Sequence, residues 1–281
     1  MIPQLGVLVG LVASLVLAIY AFQKRQLTES GTVAAMFVGM TVYAFGGWQF
    51  FLLLVSFFFS SSVLTRFKAK SKESVYEEFA KGGERDFWQV AANGVLPAAF
   101  SVLHFLYPSP QSFYAFVAVL AGATADTWAT ELGIISRVKP YLVTTGRRVP
   151  PGTSGAVSLF GLAVSFLGGA FVGLTAWLLV KAGSAVSANA VLLQAFPVIG
   201  WGVPVLWFGV AGLVGSMADS FLGATLQKMY YCPKCGKETE RQLHKCGTKT
   251  SFLKGYRLVD NDVVNFLSCL VAAATVFLIP F

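Results

Sequence analysis

Charge is scarce in this chain. Of 281 residues, 12% are Asp, Glu, Lys or Arg and 56% are hydrophobic, where a soluble domain carries about 25% charged residues. So little polar surface excludes a water-soluble globular fold, and the mean hydropathy of +0.68 agrees. Histidine is nearly missing. His104 stands alone in an apolar segment and is expected to pack, and His244 sits beside cysteines. No Ser/His/Asp or Cys/His constellation for nucleophilic catalysis is left. The Gly-x4-Gly-Lys-Ser/Thr pattern of a P-loop is also missing. Of the four cysteines, three fall in one basic loop.

What is present is apolar sequence in long runs. Eight segments stand out, at about 2–22, 31–45, 48–65, 89–106, 112–133, 154–180, 197–227 and 262–280. Most are near the ~20 residues needed to cross a bilayer as a helix. The expected fold is therefore all-α, one integral membrane domain over 1–281, a polytopic bundle of about seven or eight transmembrane helices. The first segment has no basic start and no small-x-small cleavage site, so it is expected to stay as a helix. Gly46-Gly47 leaves open whether 31–65 is one span or two. The stretch 185–227 leaves room for a span plus an interfacial or re-entrant piece.

The basic residues are sorted by loop. Loops 23–30, 66–88, 134–153 and 228–261 hold 20 of the 21 Lys and Arg, and the opposite loops hold Lys181 alone. The positive-inside rule then places the four basic loops in the cytoplasm and both termini outside. We expect the plasma membrane of a prokaryote, with the active site facing the cytoplasm. The net charge of +8 is accounted for by topology and anionic lipid headgroups, and no nucleic-acid partner is expected. All 13 acidic residues lie on the basic side or just inside it. A transporter should place polar groups near the midplane, reachable from both faces. A one-faced cluster fits an enzyme or a receptor for a cytosolic ligand.

One acidic word occurs twice. AGATADTWATELG (121–133) and VGSMADSFLGATLQ (214–227) share the shape Gly-x-x-Ala-Asp-Ser/Thr-aromatic, each ending a helix that runs from outside to inside. Carboxylates in apolar helices are costly and mark function unless they snorkel or pair with Lys. Neither copy contains Lys or Arg. Asp126 and Asp219 therefore suit a shared Mg²⁺, which takes carboxylate, water and phosphate oxygens. Thr127 and Ser220 could add hydroxyls. Glu131 is about 140° round the helix from Asp126, so it joins that metal only if the helix frays at Gly133.

Other polar words gather on the same side. In VPPGTSGAVS, Gly152, Thr153, Ser154 and Gly155 form a turn before a helix. Thr153 or Ser154 can cap that helix, and the exposed amides can hold phosphate. Arg147 and Arg148 precede it. GGERDFWQVAANG offers Arg85 and Asp86 at a helix start, with Gln89 and Asn93 one turn apart. In DNDVVNF, Asp260 can cap, while Asp262 and Asn265 share a face. Cys232-Pro-Lys-Cys235 with His244-Lys-Cys246 offers four soft ligands for a closed, structural Zn²⁺ site. That site is expected to fold a cytoplasmic loop, 228–258, inserted between the last two helices. Cys269 is expected to pack.

Taken together, LTESGTVAAMFVG, KGGERDFWQVAANG, ADTWATELG, TTGRRVPPGTSGAVSLFG, GSMADSFLGATLQ and DNDVVNF resemble the DUF92 integral membrane family. The likeness runs in one order from about residue 27 to 270. Many relatives have Gly where this chain has Ala156, and the Cys-rich loop belongs to only part of the family. The resemblance implies a kinase that moves a phosphate from CTP to an isoprenyl monophosphate such as phytyl phosphate. It would use Mg²⁺ at Asp126, Asp219 and Asp262, and charge neutralisation by Arg85 and Arg147. An acceptor phosphate is already nucleophilic, in keeping with the missing histidine. The rivals are a CTP-dependent cytidylyltransferase or polyprenol kinase acting on a lipid, and a lipid-phosphate transporter or flippase. Expected partners are membrane lipids, the isoprenyl phosphate and the nucleotide. A homodimer stays open.

Overall fold

The computed structural model describes residues 4–68, 79–136, 138–186, 196 and 200–278. It is mostly helical: α1 (Gln4–Gln23), α2 (Glu29–Arg66), α3 (Phe87–Leu106), α4 (Pro110–Gly133), α5 (Leu159–Val186), α6 (Gly202–Thr225) and α7 (Asn261–Ala274), with a 3₁₀ turn at Thr275–Leu278. By length and composition, α2, α3, α5, α6 and α7 with its 3₁₀ turn could each cross a membrane. Their outward faces carry Phe37, Val63, Leu167, Leu178 and Leu206, all exposed and apolar, as a lipid-facing surface requires.

The helix α2 is two helical limbs joined by a sharp turn at Gly47. A straight helix of 38 residues would hold its ends about 57 Å apart. Yet Arg85 accepts a hydrogen bond from Thr28 N at 3.1 Å through its carbonyl and donates one from its side chain to Ser62 Oγ at 2.8 Å. Both limbs thus end at one residue, so the chain doubles back between them. The reversal is Gly47, with φ 81° and ψ −171°, a conformation open essentially to glycine alone. The Gly46-Gly47 signal in the sequence therefore marks a helical hairpin. Most of the 185–227 question lies outside the described residues, apart from Phe196; from Gly202 on the chain is the single helix α6.

The helix α4 is the axis of the bundle. Residues 112–125 are buried without a break, enclosed by α2, α3, α5, α6 and α7. Burial of this kind within a bundle depends on close backbone packing rather than on expulsion from water. At the centre the two copies of the acidic word meet. A methyl added at Gly215 would lie 3.0 Å from Gly122 Cα, and one added at Gly122 would lie 2.7 Å from Ala272 Cβ on α7. We expect Gly122→Val to destabilise the fold by the overpacking penalty of about 1–3 kcal/mol, seen as a lower thermal midpoint in detergent. At Gly133 a methyl meets nothing within 4 Å, so Gly133→Ala should leave the melt unchanged. Equal melts for the two variants would sink this account.

One end of the bundle carries α1's exit, both ends of α2, the starts of α3, α5 and α7, and the exits of α4 and α6. The opposite end holds Gly47, the 107–109 turn and Lys181, whose Nζ donates to Phe196 O at 3.3 Å. The charge sorting read from the sequence is thus physical. All described Lys and Arg residues except Lys181 belong to the first end.

The expectation of a purely helical fold needs correcting. Tyr141–Leu142 (β1) pairs antiparallel with Ala156–Val157 (β2). The last loop is a three-stranded antiparallel sheet of Met229–Cys232 (β3), Lys237–Thr239 (β4) and Ser251–Lys254 (β5), in the order β4-β3-β5. The tight turns of this sheet are supplied by Gly236 at φ 66° and Gly247 at φ 79°.

Candidate active site

The geometry of the site follows from the Gly122–Gly215 contact. Asp126 and Asp219 each lie four residues after that glycine, one turn further along the same helix face. Close backbones at the glycines leave the two carboxylates facing each other where α4 leaves its sheath, near enough for their charges to repel. Ser268 Oγ of α7 donates to Asp219 Oδ2 at 3.2 Å. Among the described residues no donor reaches Asp126.

The pair stands in the wall between two chambers of about 620 and 570 Å³, both within the range of small-molecule sites. Asp126, Thr130, Asp219, Gln227, Glu240 and Asn261 line both. The first chamber is closed by Gly152–Gly155 and floored by Ser216 and Ser220. The second carries Lys81, Arg85, Asn93, Asp260, Asp262 and Asn265.

The Gly152–Gly155 turn is not itself a helix cap. Ser158 caps α5, its Oγ accepting from Gly161 N at 3.0 Å, so the expectation that Thr153 or Ser154 does so is wrong. Thr153 Oγ1 instead donates to Pro150 O at 2.8 Å. The turn is held against α6, where a methyl on Gly155 would fall 2.6 Å from Ser220 O. Among the described residues, the amides of Gly152, Ser154 and Gly155 enter no backbone hydrogen bond. Arg147 and Arg148 do not line either chamber. Both are exposed on the β1–β2 hairpin, and Arg148 lies over the Tyr141 ring at 5.6 Å.

A hydrogen-bonded relay ties four separate segments together. Ser154 Oγ donates to Gln227 Oε1 at 2.8 Å, Gln227 Nε2 donates to Glu240 Oε1 at 2.8 Å, and Ala80 N donates to Glu240 Oε2 at 3.0 Å. Burial raises the Glu240 carboxyl above its ordinary pKa, even against these donors. Neither Gln227 nor Glu240 was anticipated. Gln227 closes the second acidic word, but nothing in the spacing marks Glu240.

Lys81 is the other unanticipated residue. Its Nζ pairs with Asp86, 2.8 Å away, and with Asp262 Oδ2. Burial works against its charge, but Asp262 and Asp86 outweigh that and leave its pKa raised. Asp262 Oδ1 is buried and has no partner among the described residues. Asp86 is occupied structurally: it caps α3, accepting from Gln89 N at 2.9 Å, while Gln89 Oε1 accepts from Asp86 N at 3.1 Å. Asp260 caps α7, as expected, accepting from Val263 N at 3.2 Å. Asn93 Nδ2 donates to Gln89 O at 3.3 Å. Thr127 lines the second chamber, and its Oγ1 donates along its helix to Ala123 O at 2.8 Å.

The helix runs unfrayed through Gly133. Glu131 is buried, accepts from Thr65 Oγ1 at 2.7 Å and lines the second chamber with Asp126. His104 packs as expected, its ring 5.0 Å from that of Phe50. So does Cys269, which is buried.

Magnesium ordinarily takes one or two carboxylates plus phosphate and water oxygens. Asp126 and Asp219, side by side and short of donors, fit that demand, and Asp262 lines the second chamber with them. Asp126, Asp219 and Asp262 are not drawn within 4.8 Å of one another; among the described residues only the cysteine cluster gathers so tightly. There, Cys232, Cys235, His244 and Cys246 could hold a metal ion. Cys232 Sγ lies 3.6 Å from Cys246 Sγ, and His244 Nδ1 lies 3.6 Å from Cys235 Sγ and 3.2 Å from Cys246 Sγ. Thiolates on a tetrahedral zinc sit about 3.8 Å apart, so the quartet is close to that size before any ion is considered. The tight His-x-Cys spacing is relieved by Gly247, whose amide donates to His244 O at 2.9 Å.

The family described as integral membrane protein DUF92 matches residues 12–273. Protein PGR of Arabidopsis thaliana is 32% identical over 96% of this chain and 95% of its own length. An uncharacterized membrane protein of Methanocaldococcus jannaschii is 28% identical over 76% of this chain and 80% of its own. Protein VTE6, chloroplastic, of Arabidopsis thaliana is 30% identical over 52% of this chain and 45% of its own. No solved structure matches.

Proposed function

Since the chain belongs to the DUF92 integral membrane family, we propose that it is a CTP-dependent kinase acting on a membrane isoprenyl monophosphate. Phytyl phosphate or a related polyprenyl phosphate would be converted to its diphosphate at the cytoplasmic face. One observation carries this: two carboxylates from a repeated word stand in the wall shared by two chambers. A phosphotransferase needs two substrates to meet at one charge-neutralising point. The chamber under Gly152–Gly155 suits the triphosphate, because backbone amides and hydroxyls there can donate to phosphate oxygens. The chamber with Lys81 and Arg85 suits the lipid phosphate.

Asp126 and Asp219 would hold Mg²⁺, with Asp262 beside it, and the ion would supply neutralising charge to the phosphates. An oxygen of the lipid monophosphate bonds to the γ-phosphorus of CTP. The bond from that phosphorus to the β-phosphate oxygen breaks, and CDP leaves with the electron pair. The acceptor oxygen is already anionic, so no side chain has to remove a proton. Lys81 and Arg85 offset the charge of the incoming head, and the Ser154–Gln227–Glu240 relay holds the two chambers in register. Zinc in the Cys₃His cluster would be structural, fixing the sheet that presents Glu240.

The purified protein in lipid nanodiscs, given phytyl phosphate, CTP and Mg²⁺, should form phytyl diphosphate and CDP in equal amounts. Pyrophosphate in place of CDP would move the assignment to cytidylyl transfer. No turnover across a range of prenyl monophosphates and nucleoside triphosphates would end it.

A further inference from the structure

An apolar crevice borders the second chamber at the side of the bundle. Its walls come from α1, both limbs of α2 and α3, with Ala18, Ala35, Val38, Phe51 and Phe58 among them. Its inner end is polar: Arg85, Gln89, Asn93 and Thr127 line both the crevice and the second chamber. The two spaces therefore share a border of polar side chains. Arg85 is held at that junction by Ser62 at 2.8 Å and by the Phe58 ring, 5.4 Å from its guanidinium carbon. An apolar slot that ends at an arginine, beside a carboxylate pair, matches an apolar chain ending in a phosphate.

Size refines the assignment. The crevice holds about 110 Å³. That is less than the ~150 Å³ cavity known to take a benzene molecule, so it has room for roughly one branched five-carbon unit. A whole polyprenyl chain cannot be enclosed. We propose that this crevice is the binding site for the first isoprenoid unit of the lipid phosphate, with Arg85, Gln89 and Asn93 at the head and the rest of the chain left in the bilayer. This rests on the lipid-phosphate kinase assignment and adds to it. The protein would select the head-proximal unit and be indifferent to chain length beyond it. A site that measured length would need a closed tunnel several times larger.

Photolabelling tests this without turnover or nucleotide. Two long-chain alkyl monophosphates would be used in nanodiscs, one with a diazirine close to the phosphate and one with it at the far end of the chain; the matching proximal alcohol is the control. The proximal phosphate should label Val38, Phe51, Phe58 or Asn93 and be displaced by unlabelled phytyl phosphate. The terminal probe should label lipid-facing residues such as Phe37 or Val63. Ala35→Phe, which fills the slot, should cut proximal labelling about tenfold, the effect of about 1.4 kcal/mol of lost binding. The milder Ala35→Leu, checked for an unchanged melt, guards against misfolding and should cut it less. Identical maps for the proximal and terminal probes, or equal labelling by the alcohol, would overturn the site. Diphosphate formation with no crevice labelling would sink this inference alone. Crevice labelling with no diphosphate from any prenyl phosphate would sink the kinase assignment alone.

Discussion

Asp126→Asn and Asp219→Asn should each lower diphosphate formation by at least ~10²-fold while leaving the protein as stable as before, or more so. Outer partners of metal ligands already change affinity or activity by about 10–100-fold, and these two would be ligands themselves. Stability should hold because asparagine has nearly the same shape as aspartate and removes one of two like charges from a poorly solvated place. The double variant should be little worse than either single one, as groups that act as one unit are far from additive. In each single variant the Mg²⁺ concentration for half-maximal rate should rise. Near-native turnover in either, with a normal melt, would remove the carboxylate pair from the chemistry.

Loss of the metal cluster should act at a distance. Cys235→Ser, or treatment with a strong chelator, should release zinc and melt β3–β5, because structural zinc contributes roughly 10–16 kcal/mol to small sites of this kind. Hydrogen exchange should then rise across 229–254 and stay slow in the buried run of α4. Activity should collapse too, since Glu240 follows β4 directly and anchors Gln227 and Ala80 at 2.8 and 3.0 Å. Glu240→Gln separates the two roles: zinc content and the sheet should survive while turnover drops. A chelated protein that keeps both its ribbon protection and its activity would refute the coupling.

Much of this was legible in the sequence, and for identifiable reasons. Apolar run length reports spans because the bilayer has a fixed thickness. Loop charge reports which ends lie together, because insertion sorts Lys and Arg. The repeated Gly-x-x-Ala-Asp word marked Asp126 and Asp219, since a carboxylate in such a helix has few bland explanations. The Cys-x2-Cys and His-x-Cys spacings marked the metal quartet because ligand geometry is local. Gly46-Gly47 marked the hairpin in the same way.

What the sequence left open was of one kind. Glu131 shares a helix and a chamber with Asp126, but its donor Thr65 stands on another helix, which no local spacing shows. Arg147 and Arg148 precede the phosphate-type turn in the chain, yet the β1–β2 hairpin carries them outward. Lys81 and Gln227 stand at the ends of quoted words, but no spacing there marks their roles, and nothing local marks Glu240. Those roles draw on partners far along the chain: Asp262 for Lys81, Ser154 for Gln227 and Ala80 for Glu240.

The sequence alone thus determined the membrane bundle, its two unlike ends, the acidic pair and the metal quartet, because each rests on solvation or on ligands close together along the chain. Tertiary structure alone decided that Gly122 meets Gly215, that the facing aspartates divide two chambers, and that an apolar slot opens at Arg85. Those are contacts between distant segments, and helix packing, rather than any local preference, selects them.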